Sequence, residues 1–301
     1  MVEISTTVGR LKLQNPTMLA SGILGDSGDS LLRVARSGAG AVVTKSIGRE
    51  PKEGNPGPSL VELEHGLLNG IGLANPGIDN YRPEVELALQ GDVPVIGSVF
   101  AEDVEFYGPL ARTMEVYGVQ ALELNLSCPH AEGLEEIAGD ADLISQVTAE
   151  VKSAVKVPVF VKLSPNVRDI ALLAQAVEEA GGDGITAINS VKAMSILPEV
   201  AKPVLGHTMG GLSGPAIKPV GIRCVYQIYE AVDIPLVGVG GVANGLDAVE
   251  YIMAGARAVQ IGSGIHYRGL EVFEAVCREI ESFMEENGYR RLEEMVGIAH
   301  E

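Results

Sequence analysis

A chain of 301 residues has the length of two domains or of one α/β barrel, and 46% hydrophobic residues with only 4% aromatic ones and no Trp describe a large aliphatic core. The 22 Lys and Arg against 40 Asp and Glu give a net charge of −18, which repels nucleic-acid phosphates and anionic lipid and makes both poor partners. Cys128, Cys224 and Cys277 are too few and too scattered for a disulfide framework or a CxxC metal site.

The first residues, Met1-Val-Glu-Ile-Ser5, carry neither a basic segment nor a long apolar run, and no stretch has the length of a membrane span. A cytoplasmic location is expected. Alternation around Gly9-Arg10 predicts a β-hairpin that would cover the floor of a barrel. Short β-branched runs then recur at 17–20, 41–45, 93–99, 121–125, 157–163, 184–189, 236–239 and 258–261. Helical patterns lie between them, at 140–155, 169–180, 218–232, 246–254 and 270–286, with Asp140 and Asp169 as N-caps and Gly181 and Gly255 as stops. Eight strand-then-helix units without a linker predict one (β/α)8 barrel, a TIM barrel, over residues 1–301. The segments 47–80 and 192–214 are too long for simple connections, so they are expected to be βα loops that cover or line a site.

Residues of chemical interest fall at the C-terminal strand ends, where a barrel carries its ligand. Gly238-Val-Gly-Gly-Val242 and Gly262-Ser-Gly264 follow strands seven and eight, the usual place for a phosphate cradle; the alternative is two tight turns. Lys45 and Lys162 end apolar runs. Each either balances an anionic ligand or pairs internally, Glu123 being the partner at hand for Lys162. Asn69, Asn125 and Asn189 recur at one level, and their amides suit a planar ligand edged with C=O and N–H groups. Cys128, in Asn125-Leu-Ser-Cys-Pro-His130, stands just past strand four, placed to move a proton or attack a carbonyl; an inert buried thiol is the alternative. His130 either polarises Cys128, binds substrate or faces solvent. Cys224 and Cys277 sit within helical patterns and read as structural.

Over nearly the whole chain these residues resemble the dihydroorotate dehydrogenase family of pyrimidine biosynthesis. The resemblance rests on Asn69-Gly-Ile-Gly-Leu-Ala-Asn-Pro-Gly77, Asn125-Leu-Ser-Cys-Pro129, Val161-Lys-Leu-Ser-Pro-Asn166 and Gly210-Gly-Leu-Ser-Gly-Pro-Ala-Ile-Lys-Pro219. Cysteine at 128 is similar to class 1, and the last of these runs to class 1B catalytic subunits. The resemblance implies FMN at the barrel mouth, its phosphate between Gly240-Gly241 and Gly262-Ser263. Ser21, Lys45, Ser46, Asn125, Lys162, Ile188 and Gly214 would line the ring and ribityl chain. Dihydroorotate would meet Lys45, Asn69, Gly70, Ile71, Gly72, Leu73, Asn125, Asn189 and Ser190, with Cys128 as the base. A homodimer is implied, joined by a second subunit that carries FAD and an iron–sulfur cluster and passes electrons to NAD; a free homodimer using fumarate or another acceptor is the alternative. The chain departs from the family at His130, Ser98 and Ser263, where asparagine, asparagine and threonine are usual. The lid segment 131–139 is acidic, with Glu132, Glu135 and Glu136. Two rival functions fit part of the pattern. The Cys-Pro-His run is similar to dihydropyrimidine dehydrogenases, which act on uracil or thymine, and a non-redox phosphate- or flavin-binding barrel would share the glycine loops.

Overall fold

A computed structural model describes residues 2–126 and 134–301. Eight parallel strands close into a barrel: β1 (Thr17–Leu19), β2 (Ala41–Val43), β3 (Val95–Val99), β4 (Ala121–Asn125), β5 (Val159–Leu163), β6 (Gly184–Ala187), β7 (Leu236–Val239) and β8 (Ala256–Ile261). Each pairs with its neighbours in sequence, and β8 closes onto β1 with Val259 opposite Thr17. The eight predicted strands are the eight barrel strands. A helix follows each: α1 (Gly28–Ala35), α2 (Arg82–Ala88), α3 (Val104–Tyr117), α4 (Ala141–Ala154), α5 (Ile170–Glu179), α6 (Lys218–Tyr229), α7 (Gly245–Met253) and α8 (Val272–Asn287).

The strands read as apolar runs because both of their faces are buried. On β4, Leu122 and Leu124 pack outward against the helices, while Ala121 points inward to join Val43, Ile96, Phe160, Val237 and Ala258 inside the barrel. The predicted hairpin is present, Thr6–Val8 paired with Leu11–Leu13 around a left-handed Gly9. Its Val8, Leu11 and Leu13 belong to the interior cluster, and Arg10 donates to the Lys156 carbonyl (3.1 Å) just before β5. The hairpin therefore plugs the N-terminal end of the barrel, as expected. Asp140 and Asp169 cap α4 and α5 by accepting the second and third backbone N–H groups of each helix. Gly181 and Gly255, both at positive φ, follow the last turns of α5 and α7.

The two long loops hold more order than the sequence pattern predicted. Together they build a four-stranded antiparallel sheet in the order Val191–Ala193, Gly210–Ser213, Gly66–Asn69, Leu60–Leu63. The pairing sets Gly211 against Asn69 and Leu212 against Leu68. The strands are too short for alternation to declare them, and the central pair, Gly66–Asn69 with Gly210–Ser213, joins parts far apart in the chain. This sheet roofs the C-terminal mouth. Among the described residues no helix is long and apolar enough to cross a membrane.

Candidate active site

Between roof and barrel mouth lies a cavity of about 310 Å³. Barrel strands contribute Lys162, on β5, and Asn125, at the end of β4; Ser21, Lys45, Ser46, Ile188 and Gly240 reach it from the segments just beyond strands. The roof and its connections contribute Asn69, Ile71, Gly72, Leu73, Asn189 and Ser190, and the late loops Gly241, Gly262 and Ser263. Eighteen positions were expected around one ligand besides Cys128, and sixteen of these line this cavity. Gly70 and Gly214 stand behind the wall. A Cβ at Gly70 would face Leu205, and the Gly214 carbonyl lies against Gly241. Cys128 and His130 lie outside the described residues, as do 131–133 of the expected lid, whose remainder, Leu134–Gly139, is a helix.

The polar side chains are held by one another. Ser46 Oγ is 2.8 Å from Ser98 Oγ and 3.2 Å from Ser21 Oγ, and it accepts from Asn125 Nδ2 at 3.0 Å. This hydroxyl cluster orients the Asn125 amide, and it gives a place to Ser98, for which the sequence offered only a departure from the family. Lys45 Nζ is 3.1 Å from Asp26 Oδ1, a partner that is itself exposed, so an incoming anion can take its place. Asn69 Nδ2 donates to the Gly211 carbonyl (3.0 Å), fixing the roof strands, and Asn189 Oδ1 accepts from Ser190 N (2.7 Å). The turn at Gly72 and Leu73, both left-handed, is tied down by Asn55, which donates to the Gly70 carbonyl and accepts nothing larger than glycine beside it at 72. No motif pointed to Asn55.

Lys162 has both of the fates the sequence allowed. It lines the cavity, and its Nζ donates to Glu123 Oε1 (3.4 Å) and Gln260 Oε1 (3.2 Å). Cys224 and Cys277 lie on α6 and α8 as structural thiols. Burial raises both pKa values, that of Cys277 to about 11.

The glycine loops divide their labour. Gly240 and Gly241, at φ of 128° and 74°, turn the chain along the cavity wall in a conformation that favours glycine. Gly238 does not line the cavity. A Cβ there would lie 2.4 Å from the ring of Tyr251, so this glycine makes room for packing. Tyr251, on α7 and fully buried, donates its hydroxyl to the Gly240 carbonyl at 2.8 Å, and burial holds its pKa far above the ordinary value. Asp247 accepts from the N–H groups of Ala243 and Asn244 and is bonded to Lys218 (2.8 Å). Burial disfavours the Lys218 charge, yet its bonds to Asp247 and Glu250 outweigh this and keep its pKa above the usual lysine value. Gly262 differs again. It is not at positive φ, and a Cβ there would meet nothing closer than Ala20 at 3.4 Å, ordinary contact. Neither backbone nor packing demands glycine at 262, and Gly262 lines the cavity, so its missing side chain leaves cavity space open. A phosphorylated group fits this end of the cavity, which is lined by glycines and backed by Tyr251.

A ligand cavity at the C-terminal mouth, with lysines and amides at one end and a glycine cradle at the other, defines the class: a (β/α)8-barrel of the enzyme type. The family model described as Dihydroorotate dehydrogenase matches residues 3–284. The chain belongs to the dihydroorotate dehydrogenase family, a family of flavin-dependent oxidoreductases. Among its relatives, the catalytic subunit of dihydroorotate dehydrogenase B (NAD(+)) of Methanocaldococcus jannaschii is 50% identical over 303 residues, spanning 99% of this chain and 98% of the relative. The protein of that name from Thermoplasma acidophilum is 49% identical over 300 residues, spanning 99% of both. The fold matches a crystal structure of the dihydroorotate dehydrogenase of Eimeria tenella in complex with ferulenol, with TM-score 0.87 and 24% identity over 99% of this chain and 89% of that one.

Proposed function

We propose that the protein oxidises (S)-dihydroorotate to orotate in pyrimidine biosynthesis, with FMN as its bound cofactor and residues 1–301 as one FMN-binding unit. The carrying observation is the cavity with two unlike ends, a glycine cradle between β7 and β8 and the Lys45, Asn125 and Asn69 groups beneath the roof. In this reading Gly240, Gly241, Gly262 and Ser263 hold the phosphate, and Ser21, Ser46, Lys162 and Ile188 border the ring and ribityl chain, with Gly214 behind them. Bound FMN supplies a two-electron acceptor for the hydride that leaves C6 of the substrate. Lys45, released from the exposed Asp26, pairs with the substrate carboxylate, which uracil lacks. Asn69, Asn125, Asn189 and Ser190, with the backbone of Ile71, Gly72 and Leu73, hold the pyrimidine edge and fix its orientation, Gly70 backing that turn. Cys128 takes the proton from C5 as a thiolate. An ordinary thiol titrates near ~8.5, so this step is expected to quicken as pH rises toward that value.

Relatives named as catalytic subunits of an NAD(+)-linked enzyme support a second subunit as the exit for electrons, one that carries FAD and an iron–sulfur cluster. The protein then acts as a cytoplasmic homodimer within that assembly. The test is anaerobic mixing of the purified, flavin-loaded protein with dihydroorotate while flavin absorbance is followed. Rapid bleaching is expected, and Cys128→Ala should keep its flavin yet fail to bleach. Bleaching by dihydrouracil and not by dihydroorotate would overturn the substrate assignment.

A further inference from the structure

The barrel interior changes character along its axis. Next to the hairpin it is apolar, with Ile96, Ala121, Phe160, Val237 and Ala258. At the next inward positions it is largely polar, with Ser98, Glu123, Lys162, Thr186 and Gln260 all buried and Val239 an apolar member of the ring. Glu123, only 1% exposed, is the centre of this layer. Its Oε1 accepts from Lys162, and its Oε2 accepts from Gln260 Nε2 (2.5 Å) and Thr186 Oγ1 (3.0 Å). Gln260 Oε1 in turn accepts from Lys162 at 3.2 Å, so the ammonium is gripped from two sides.

Burying an ion pair this deeply is a poor way to stabilise a barrel. Apolar side chains of equal volume usually do as well or better, and the layer below uses them. The charges are therefore explained by what they face. Of Glu123, Lys162, Thr186 and Gln260, only Lys162 lines the cavity. The other three act on a ligand through it.

We propose that Glu123 is a positioning residue that sets the reduction potential of the bound flavin. This rests on the flavin reading above. Reduction adds negative charge to the ring, and a lone buried ammonium at the cavity floor would favour the reduced state strongly in so low a dielectric. The Glu123 carboxylate, 3.4 Å from that ammonium, offsets much of the field while holding Lys162 in place. Electrons that arrive from substrate can then leave again for the next carrier.

The experiment is a midpoint-potential measurement on the FMN-loaded protein by equilibration with a redox dye, together with the affinity of the flavin for sulfite, whose adduct leaves the ring negatively charged. Glu123→Gln preserves shape and removes the charge. It is expected to move the potential to more positive values, raising the ratio of reduced to oxidised flavin about tenfold at fixed poise, about 30 mV for a two-electron couple, and to tighten sulfite binding. Glu123→Asp draws the same charge back by one methylene and should give a smaller shift of the same sign; it carries the test should the glutamine variant fail to fold. Thr186→Val removes a hydrogen bond without changing charge and should lower thermal stability at unchanged potential. An unchanged or more negative potential in a Glu123→Gln protein that retains FMN overturns the proposal. A wild-type chain that binds no FMN overturns this reading and the proposed function together, whereas one that binds FMN and shows no shift overturns this one alone.

Discussion

Tyr251→Phe isolates the support behind the glycine cradle. The Tyr251 ring is fully buried, with Gly221 and Gly238 leaving space around it. Its hydroxyl lies 2.8 Å from the Gly240 carbonyl and 3.3 Å from that of Val239. One hydrogen serves one acceptor at a time, so the substitution removes a single buried hydrogen bond and leaves a carbonyl in need of a partner. That is worth about 1–2 kcal/mol. With an unfolding entropy of about 2.1 cal/mol/K per residue, the thermal midpoint of the flavin-free protein should fall by ~2–3 °C. The second consequence is specific to the site. With its carbonyl unanchored, the Gly240 turn is less well formed for a phosphate, and about 1 kcal/mol of lost preorganisation weakens FMN about fivefold. Riboflavin, which lacks the phosphate, should bind the variant as it binds wild type. Titration of both flavins by fluorescence quenching measures the two affinities. Equal weakening of both, or a fall in midpoint with neither affected, would refute the link between Tyr251 and the phosphate end.

Gly262→Val puts a side chain into space that neighbouring atoms leave open, so the protein should fold with a thermal midpoint close to wild type and yet purify without FMN; full flavin occupancy would show that this space is not the ligand's. Burial raises the thiol pKa of Cys224 and Cys277, and the thiolate is the reactive form, so a chromogenic disulfide reagent at pH 8 should modify only one thiol rapidly. That thiol should disappear in Cys128→Ala. Glu279 is held below the usual carboxylate pKa by its bond to Arg268, against the effect of burial, with the Gly245 N–H assisting. A depressed carboxylate stabilises the fold above its unfolded value of about 4.3 and loses that contribution as pH falls through the lower folded value. Urea midpoints should therefore drop more steeply between pH 6 and pH 3 in wild type than in Arg268→Gln.

The barrel was legible because strands buried on both faces must be apolar, and the alternation of Glu123 with Leu122 and Leu124 placed that carboxylate on the inner face with Asn125. The partnership of Glu123 with Lys162 could be read from this face. The roof could not, because Gly66–Asn69 and Gly210–Ser213 have only four residues each and take their order from pairing between distant parts of the chain. Asn55 and Ser98 escaped for a related reason. Each acts by hydrogen bonding to a site residue, a relation that exists only once the chain is folded. Gly238 shows the limit of a motif. It shares a run with Gly240 and Gly241 and differs from them in what lies behind it, the ring of Tyr251.

The roof also sets an order of events during synthesis. Its central pair joins Asn69 to Gly211, so nearly half the chain must emerge from the ribosome between one strand and its partner. Closing so long a loop is slow, and the Gly262 loop emerges later still. A nascent chain that has passed Asn69 holds one wall of the cavity and no means of retaining what enters it. Cofactor loading is thereby confined to chains close to full length, and prematurely ended ones present an unroofed, incomplete barrel to the proteases that clear them.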